Sequence, residues 1–415
     1  MSLAKELENR GFIHQFSAAT LQEIVDGEKR TIYHGIDPSA DSAHAGNFVV
    51  WMLLRHLAEA GHKIVFLVGG GTGMVGDPKP DAERQLKESA QVAGNVSKLK
   101  TQAELFFVGY ELEFVNNIDW LGELRLIDFL RDIGKHYTVN ELIKKDAIAT
   151  RLQSDTGLSY TEFAYPLLQG YDYYQLFKNK NCTVQVGGSD QWGNIISGVE
   201  LVRRKEQTEV FAVTVPLIVD KTTGKKFGKS EGNAVWLDVE KTSPYKFYQF
   251  WLNIDDESAV DYLKLFTFIP LEEIEQIQHD FEMNPSQRAA QKTLAYKVTE
   301  IVHGEKSSEA AQNVSELLFG KGDIFSLGDT ELVIVTDNAP KLLVQEQQSF
   351  VDILIETGLA TSKREARTFI ESGAVSVNNN KITDVASVLE EAQTHKGVAV
   401  LRRGKKQLYV LKLKN

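Results

Sequence analysis

Between residues 30 and 68 the apolar and polar positions fall into three blocks that predict a strand, a helix and a second strand. Residues 30–37 (Arg-Thr-Ile-Tyr-His-Gly-Ile-Asp) read as a short strand, and Pro38 to Asp41 turn the chain. Asp41 or Ser42 can then cap a helix that runs to about Ala60 and is ended by Gly61. Residues 63–68 form the next strand, so the unit implies a parallel sheet with a right-handed crossover. Residues 182–187 and 210–219 read as further buried strands, with a helix near 191–204 between them. Residues 115–177 are mainly helical in pattern, as for an insertion, although Pro166 falls inside one of the helices and is expected to bend it. After Pro244 the chain is helix-rich to about Leu318. Residues 320–348 mix Gly, Asp and Pro with weak periodicity and read as a linker. From residue 350 a compact α/β module is predicted: helices over 350–356 and 363–371, a strand over 375–378 and a turn at Asn379-Asn380.

At 415 residues the chain exceeds what one core usefully supports, and two or three domains are expected. No apolar run approaches the roughly 20 residues that span a bilayer, and residues 1–10 carry four charges in place of a secretory signal, so a cytoplasmic location is expected. The single cysteine, Cys182, excludes an internal disulfide and a cysteine-rich zinc site. Net charge is −11, but it is unevenly spread. Residues 351–415 carry a net +4, which leaves −15 on the remainder. A basic tail on an acidic body fits a local polyanion contact or an ordinary charged surface.

Two phosphate motifs nearly fit. Gly71-Thr72-Gly73-Met74-Val75-Gly76 matches G-x-G-x-x-G after a strand, but Asp77-Pro78-Lys79-Pro80 follows where a dinucleotide enzyme needs a helix. Gly228-Lys229-Ser230 invites a P-loop reading, yet Gly224 to Gly228 encloses three residues instead of four. A different constellation fits better. His44-Ala45-Gly46-Asn47 opens the first crossover helix beyond the carboxyl end of a strand, where ligands of doubly wound sheets bind and a helix N-terminus favours phosphate. Gly46 lets a flat base approach the backbone. Lys226-Phe227-Gly228-Lys229-Ser230 offers two lysines and a hydroxyl on a glycine-flanked loop, suited to a leaving pyrophosphate. Tyr165, Gln169 and Asp172 recur at helical period on an otherwise apolar stretch, a polar stripe that needs partners from a substrate or from the protein itself.

Together the first two signals resemble the His-Ile-Gly-His and Lys-Met-Ser-Lys-Ser signatures of class I aminoacyl-tRNA synthetases. Longer stretches resemble the bacterial-type tyrosyl-tRNA synthetase family: Tyr33-His34-Gly35-Ile36-Asp37-Pro38, Gly187-Gly188-Ser189-Asp190-Gln191-Trp192-Gly193-Asn194, and Thr242-Ser243-Pro244-Tyr245-Lys246-Phe247-Tyr248-Gln249-Phe250-Trp251. The resemblance runs from about residue 5 to 412. It implies a Rossmann-like parallel-sheet catalytic domain over 1–220, with the helical insertion at about 115–177. An α-helical domain with the lysine loop would follow over 221–319, a linker over 320–349 and a small α/β RNA-binding domain over 350–415. It also implies that L-tyrosine is activated by ATP, with Mg²⁺ accompanying the nucleotide and no tightly bound metal, and is then esterified to the 3′-terminal adenosine of a tyrosine tRNA.

By the same resemblance, Tyr33 and Asp172 bind the tyrosine phenol, Asp77, Tyr165 and Gln169 its ammonium, and Gln191 the substrate near the α-phosphate. Gly35, Asp37, Gly46, Gly188 and Asp190 belong to the ATP site, the last two at the ribose. His44, Asn47, Ser39, Lys226, Lys229, Ser230 and Arg84 serve the transition state and departing pyrophosphate. Asn47 stands where the family has a second histidine, His34 where cysteine is common, and the segment 77–84 is one residue short of the family pattern. Lys363, Arg364, Arg367, Arg402, Arg403, Lys405 and Lys406 form the basic surface expected to contact tRNA. A homodimer with tRNA bridging the subunits is implied by the resemblance alone. Weighed against this reading are a tryptophanyl enzyme, for which a Tyr33–Asp172 pair suits an indole poorly, an RNA-binding paralogue without catalysis, and a dinucleotide oxidoreductase.

Overall fold

The computed structural model describes residues 1–78, 87–153, 157–218, 229–230, 233–320, 322–404 and 407–414. By packing, these divide into one unit of residues 1–242 and 254–294 and a second of residues 243–253 and 295–415.

The first unit is built on six strands: β1 Gln15–Phe16, β2 Thr31–Ile36, β3 Lys63–Val68, β4 Leu112–Asn116, β5 Cys182–Gly188 and β6 Phe211–Val215. Their order is β1-β6-β5-β2-β3-β4. All neighbours are parallel except β1, which pairs antiparallel with β6. β6 is buried at every position, as a parallel strand covered on both faces must be, and it is shorter than the expected 210–219. Alternation along β2 sends Tyr33 and His34 to opposite faces. Tyr33 meets Tyr173 of the helix Tyr160–Lys180 edge-on at 5.1 Å between ring centres. His34 meets Phe66, and Phe66 meets Trp51 of the helix Ala45–Glu59 at 5.3 Å and 88°.

The insertion between β4 and β5 consists of short helices and the long helix Tyr160–Lys180, which runs through Pro166. Its first turn is anchored by Arg151, which forms a buried ion pair with Glu162 at 3.1 Å. Ser159 caps it by accepting from the Glu162 amide.

Several expectations are corrected. The first crossover helix is capped by His44, not by Asp41 or Ser42. Inside the glycine-rich motif a helix does form, but only the single turn Thr72–Val75; Gly76, at φ +86°, ends it before Asp77. The expected helical domain over 221–319 is divided. Residues 254–294 pack in the first unit, where Phe266 stacks on Phe48 at 5.7 Å. The helix Pro244–Leu252 belongs to the second, where Phe247 meets His303 at 4.8 Å.

The supposed linker is also structured. It contains the helix Asp329–Asn338 and a strand, Lys341–Val344. Numbering onward from the small hairpin β7 Lys229–Ser230 and β8 Asn233–Ala234, this strand is β9; β10 Val375–Val377, β11 Asn380–Ile382, β12 Val398–Arg403 and β13 Gln407–Leu413 complete the chain. β9 pairs parallel with β13 at the edge of a five-stranded sheet ordered β11-β10-β12-β13-β9. One buried position in four gives such an edge strand no readable alternation. The helices Phe350–Glu356 and Lys363–Glu371 cover this sheet through Phe350, Ile353, Leu354, Ala366 and Ile370. Its first hairpin turns at Asn378 and Asn379, one residue earlier than expected, because both take positive φ (48° and 66°), as a two-residue mirror-image turn requires. Among the described residues no helix is long and apolar enough to cross a membrane.

Candidate active site

Strand order reverses between β2 and β5, since β3 and β4 extend the sheet one way and β6 the other. Such a switch point opens a crevice beyond the carboxyl ends of the two central strands. A cavity of about 470 Å³ lies there, and Tyr33, Gly35, Asp37, Ser39, His44, Gly46, Asn47, Asp77, Tyr165, Gln169, Asp172, Gly188, Asp190 and Gln191 all line it. Residues from five separate stretches of sequence are thus gathered at one place. Arg84 and Lys226 lie outside the described residues, and for Lys229 and Ser230 only the backbone strand β7 is described.

Part of the cavity lining is both polar and deeply buried. Asp172 is 2 % exposed; its carboxylate accepts from Asn117 Nδ2 at 2.9 Å and Trp120 Nε1 at 2.7 Å. Burial raises the Asp172 carboxyl from 3.8 to about 7, although both donors pull it down. Tyr33 is 1 % exposed, and its buried hydroxyl has no hydrogen-bond partner among the described residues. Burial first, and then the charge of Asp172, push its phenol well above the ordinary value. Asn117 links this lining to the backbone: it accepts from the Gly71 amide at 2.8 Å and donates to Thr72 Oγ1 at 2.9 Å. Thr72 in turn donates to Asp37 Oδ1 at 2.8 Å, and the Tyr165 hydroxyl donates to Asp37 Oδ2 at 2.9 Å. The turn must come this close: a Cβ at Gly69 would lie 2.2 Å from Asp37 Oδ1.

A third carboxylate is held by side chains that follow β5. Asp77 accepts from Gln191 Nε2 at 3.0 Å and Asn194 Nδ2 at 2.9 Å. With Asp37, Asp77 and Asp190 in its lining, the cavity favours a cation such as an ammonium group.

At the mouth, the helix Ala45–Glu59 presents its N-terminus. His44 Nδ1 accepts from the Gly46 amide at 3.0 Å, while Asn47 Oδ1 accepts from the His44 amide at 3.2 Å. This reciprocal cap has two consequences. With Nδ1 an acceptor, the proton of the neutral imidazole is on Nε2. With its oxygen in the cap, Asn47 has its amide NH₂ left to donate.

Sequence alone does not single out Thr72 and Gln185, which line the cavity, or Asn117, Trp120 and Asn194, which bond to residues that do. Signals existed for two of them. Asn117 follows the carboxyl end of β4, and Gln185 is a glutamine in the middle of an apolar strand, paired across β2 with Tyr33 and with its Oε1 buried unpartnered. Trp120 carries no such mark, because only the insertion's folding brings it to Asp172.

The basic tail positions separate into two groups. Arg364 and Arg367 are exposed on the helix Lys363–Glu371, and Lys363 pairs with Asp352 at 3.0 Å. Arg402 instead donates to the carbonyls of Leu317 and Leu318, and Arg403 to that of Leu359 while lying 4.5 Å from the Phe369 ring centre. Those two guanidinium groups are engaged within their own unit. Lys405 and Lys406 lie outside the described residues.

Comparison with known proteins gives the family. Residues 26–320 match the family of class I tRNA synthetases (W and Y), and residues 331–411 the C-terminal domain of SYY-like tyrosine–tRNA ligases. The chain is 47% identical to tyrosine–tRNA ligase 2 of Enterococcus faecalis over 98% of each chain. It is 45% identical to the tyrosine–tRNA ligase of Lactococcus lactis over 99% of this chain and 100% of that one. A C-terminally truncated mitochondrial tyrosyl-tRNA synthetase of Aspergillus nidulans superposes with a TM-score of 0.69 at 31% identity, covering 77% of this chain and 94% of that one. A switch-point cavity with a buried phenol, a buried carboxylate and a histidine-capped helix is thus joined to full-length similarity, and the chain belongs to the bacterial-type tyrosine–tRNA ligases of the class I tRNA synthetase family.

Proposed function

We propose that the cavity joins L-tyrosine to ATP, supplied as its Mg²⁺ complex, and that the tyrosyl group then passes to the 3′-terminal adenosine of a tyrosine tRNA. The tyrosine carboxylate is already a nucleophile. One of its oxygens attacks the α-phosphorus, the bond to the bridging oxygen breaks, and pyrophosphate leaves. No general base is needed, so catalysis is positioning and charge stabilisation. In the second step a ribose hydroxyl attacks the adenylate carbonyl and AMP departs.

The observation that carries this reading is the Tyr33 hydroxyl, buried and unpaired beside a carboxylate already held by Asn117 and Trp120. A substrate phenol would donate to Asp172 and accept from Tyr33. Phenylalanine would leave the Tyr33 hydroxyl unpaired and add nothing to the two bonds Asp172 already accepts, the mechanism for which tyrosyl-tRNA synthetases are the established case. Asp77, Tyr165 and Gln169 surround the substrate ammonium. Gly188 and Asp190 take the ribose, Gly35, Asp37 and Gly46 line the nucleotide path, and Gln191 lies between the two substrates. Ser39, His44 and Asn47 donate to the phosphates, with Arg84, Lys226, Lys229 and Ser230 on the pyrophosphate. Arg364 and Arg367 are the exposed tail cations best placed to meet tRNA phosphates, and the work is that of a cytoplasmic enzyme of translation.

A second copy of the chain is the partner proposed for the insertion. Leu126, Ile127, Val139, Leu152 and Tyr160 are each more than half exposed there, an apolar surface that a subunit interface would bury.

Amino-acid-dependent ATP–pyrophosphate exchange, run with each of the twenty amino acids, tests the reaction. Exchange with tyrosine alone is expected. Exchange with tryptophan would overturn the pocket assignment, and none with any amino acid would leave a non-catalytic RNA-binding protein.

A further inference from the structure

The loop between β2 and the helix Ala45–Glu59 carries Ser39 and delivers His44, yet residues 37–43 have no regular structure. Lys87 Nζ donates to the Ser39 carbonyl, and two other segments hold the loop. From the helix Ser89–Phe106, Asn95 Nδ2 donates to the Pro38 carbonyl at 2.9 Å and Gln102 Oε1 accepts from the Ala43 amide at 2.8 Å. From the segment after β8, the backbone forms a bridge: the Ala45 amide donates to Val235 at 2.8 Å and the Leu237 amide to Ala43 at 3.0 Å. Trp236 in this bridge lies edge-on to His44, 6.0 Å between ring centres.

Asp41 is where the two sides meet. Its Oδ2 takes Lys98 of the helix at 2.7 Å and its Oδ1 takes Lys241 of the opposite segment at 2.6 Å. Lys241 is fixed from beneath by the Trp236 ring, 5.2 Å from its centre. The two lysines hold the Asp41 carboxyl well below the usual range, at about 2.

We propose that Asp41 is a positioning residue for adenylate formation: by clasping Lys98 and Lys241 with separate oxygens, it sets the loop that aims Ser39 and His44 at the phosphates. The role rests on the reading of the cavity given above. Partly exposed ion pairs add little to stability, so loss of this clasp displaces the loop without unfolding the unit. Displacement matters because a shift of about 1 Å at a reacting group costs on the order of 10²-fold in rate.

The test is the kinetics of Asp41→Asn, Asp41→Glu, Lys241→Met and the double variant Asp41→Asn/Lys241→Met. Tyrosine-dependent exchange by Asp41→Asn is expected to lose about 10- to 100-fold in kcat, with KM for tyrosine within about twofold and the melting temperature unchanged. Lys241→Met should fall similarly, and the double variant should be no worse than the worse single, since both break one clasp. Asp41→Glu should recover part of the rate. Transfer from preformed tyrosyl-adenylate should stay at the unmodified rate, because the pyrophosphate that Ser39 and His44 serve has then gone. Exchange by Asp41→Asn within about twofold of the unmodified chain overturns the role. So does a parallel fall in tyrosine affinity, transfer and melting temperature, which would mark general damage. Absence of tyrosine-dependent exchange in the unmodified chain overturns the cavity reading and this role with it.

Discussion

The Tyr33 hydroxyl sets stability against selectivity at a single atom. Buried without a partner, it costs folding free energy of roughly 1–3 kcal/mol. Tyr33→Phe removes that cost and is expected to raise the melting temperature of the substrate-free protein. The same change removes a donor to the substrate phenol, so the preference for tyrosine over phenylalanine in kcat/KM should fall by about tenfold or more. A variant that is less stable, or equally selective, would contradict the assignment. Asp172 gives the pH dependence. Its folded-state carboxyl is raised from 3.8 to about 7 by burial, so the folded protein holds the proton more tightly than the unfolded chain. The sign follows: its contribution to stability is fully present below about pH 4 and is lost as pH rises through about 7. Across that window the unmodified chain should lose melting temperature relative to Asp172→Asn, as calorimetry at several pH values would show.

At the scale of the element, the first crossover helix is capped by a residue to which the proposed chemistry also gives a role. His44 caps the helix with Nδ1 and leads into the cavity mouth, and Asn47 completes the reciprocal bond. The two duties can be separated. Asn is as good an N-cap as any residue, whereas Ala costs about 1 kcal/mol. His44→Asn should therefore keep the melting temperature of the unmodified chain while adenylate formation slows by about 10²-fold. His44→Ala should lose both. Equal stability in the two variants would show that the cap contributes nothing, and an unimpaired His44→Asn would remove the histidine from the mechanism.

For the molecule as a whole, β9 decides where the C-terminal part can be cut. A chain ending at 349 would lack β13 and leave β9 without its parallel neighbour. A chain ending at 328 removes both strands and the helix Asp329–Asn338 together. The 1–328 protein is expected to keep tyrosine-dependent exchange and to lose tRNA charging. In the full chain, tRNA affinity should fall steeply with salt, as phosphate contacts require. Equal loss of exchange and charging from a folded 1–328 chain would count against a separate RNA role. The proposed subunit interface on the insertion is tested by Ile127→Asp, at a position 69% exposed, which is expected to halve the mass that light scattering gives for the unmodified chain. An unchanged mass would exclude that surface as the interface.

Local sequence determined more of this protein than its irregular parts suggest. Helix and strand periods placed β2, β3 and the helices Phe350–Glu356 and Lys363–Glu371 closely, because each buries a regular face whose spacing is visible in a few residues. The family resemblance assigned His44, Asp77 and Asp172 to one site, and the three do line one cavity. What escaped were features set by neighbours distant in sequence. The expected linker is half helix and strand because β13 supplies a sheet edge for β9. Residues 254–294 leave the expected helical domain because Phe48 offers Phe266 a surface to stack on. Arg402 and Arg403 belong to a basic run in the sequence, yet their guanidinium groups donate to backbone carbonyls dozens of residues away. Asp41 looked like a helix cap and is an ion-pair clasp between segments more than a hundred residues apart. Periodicity and residue type are local properties and can be read along the chain. Which buried donor meets which acceptor depends on how separate segments pack, and only the tertiary structure decides that.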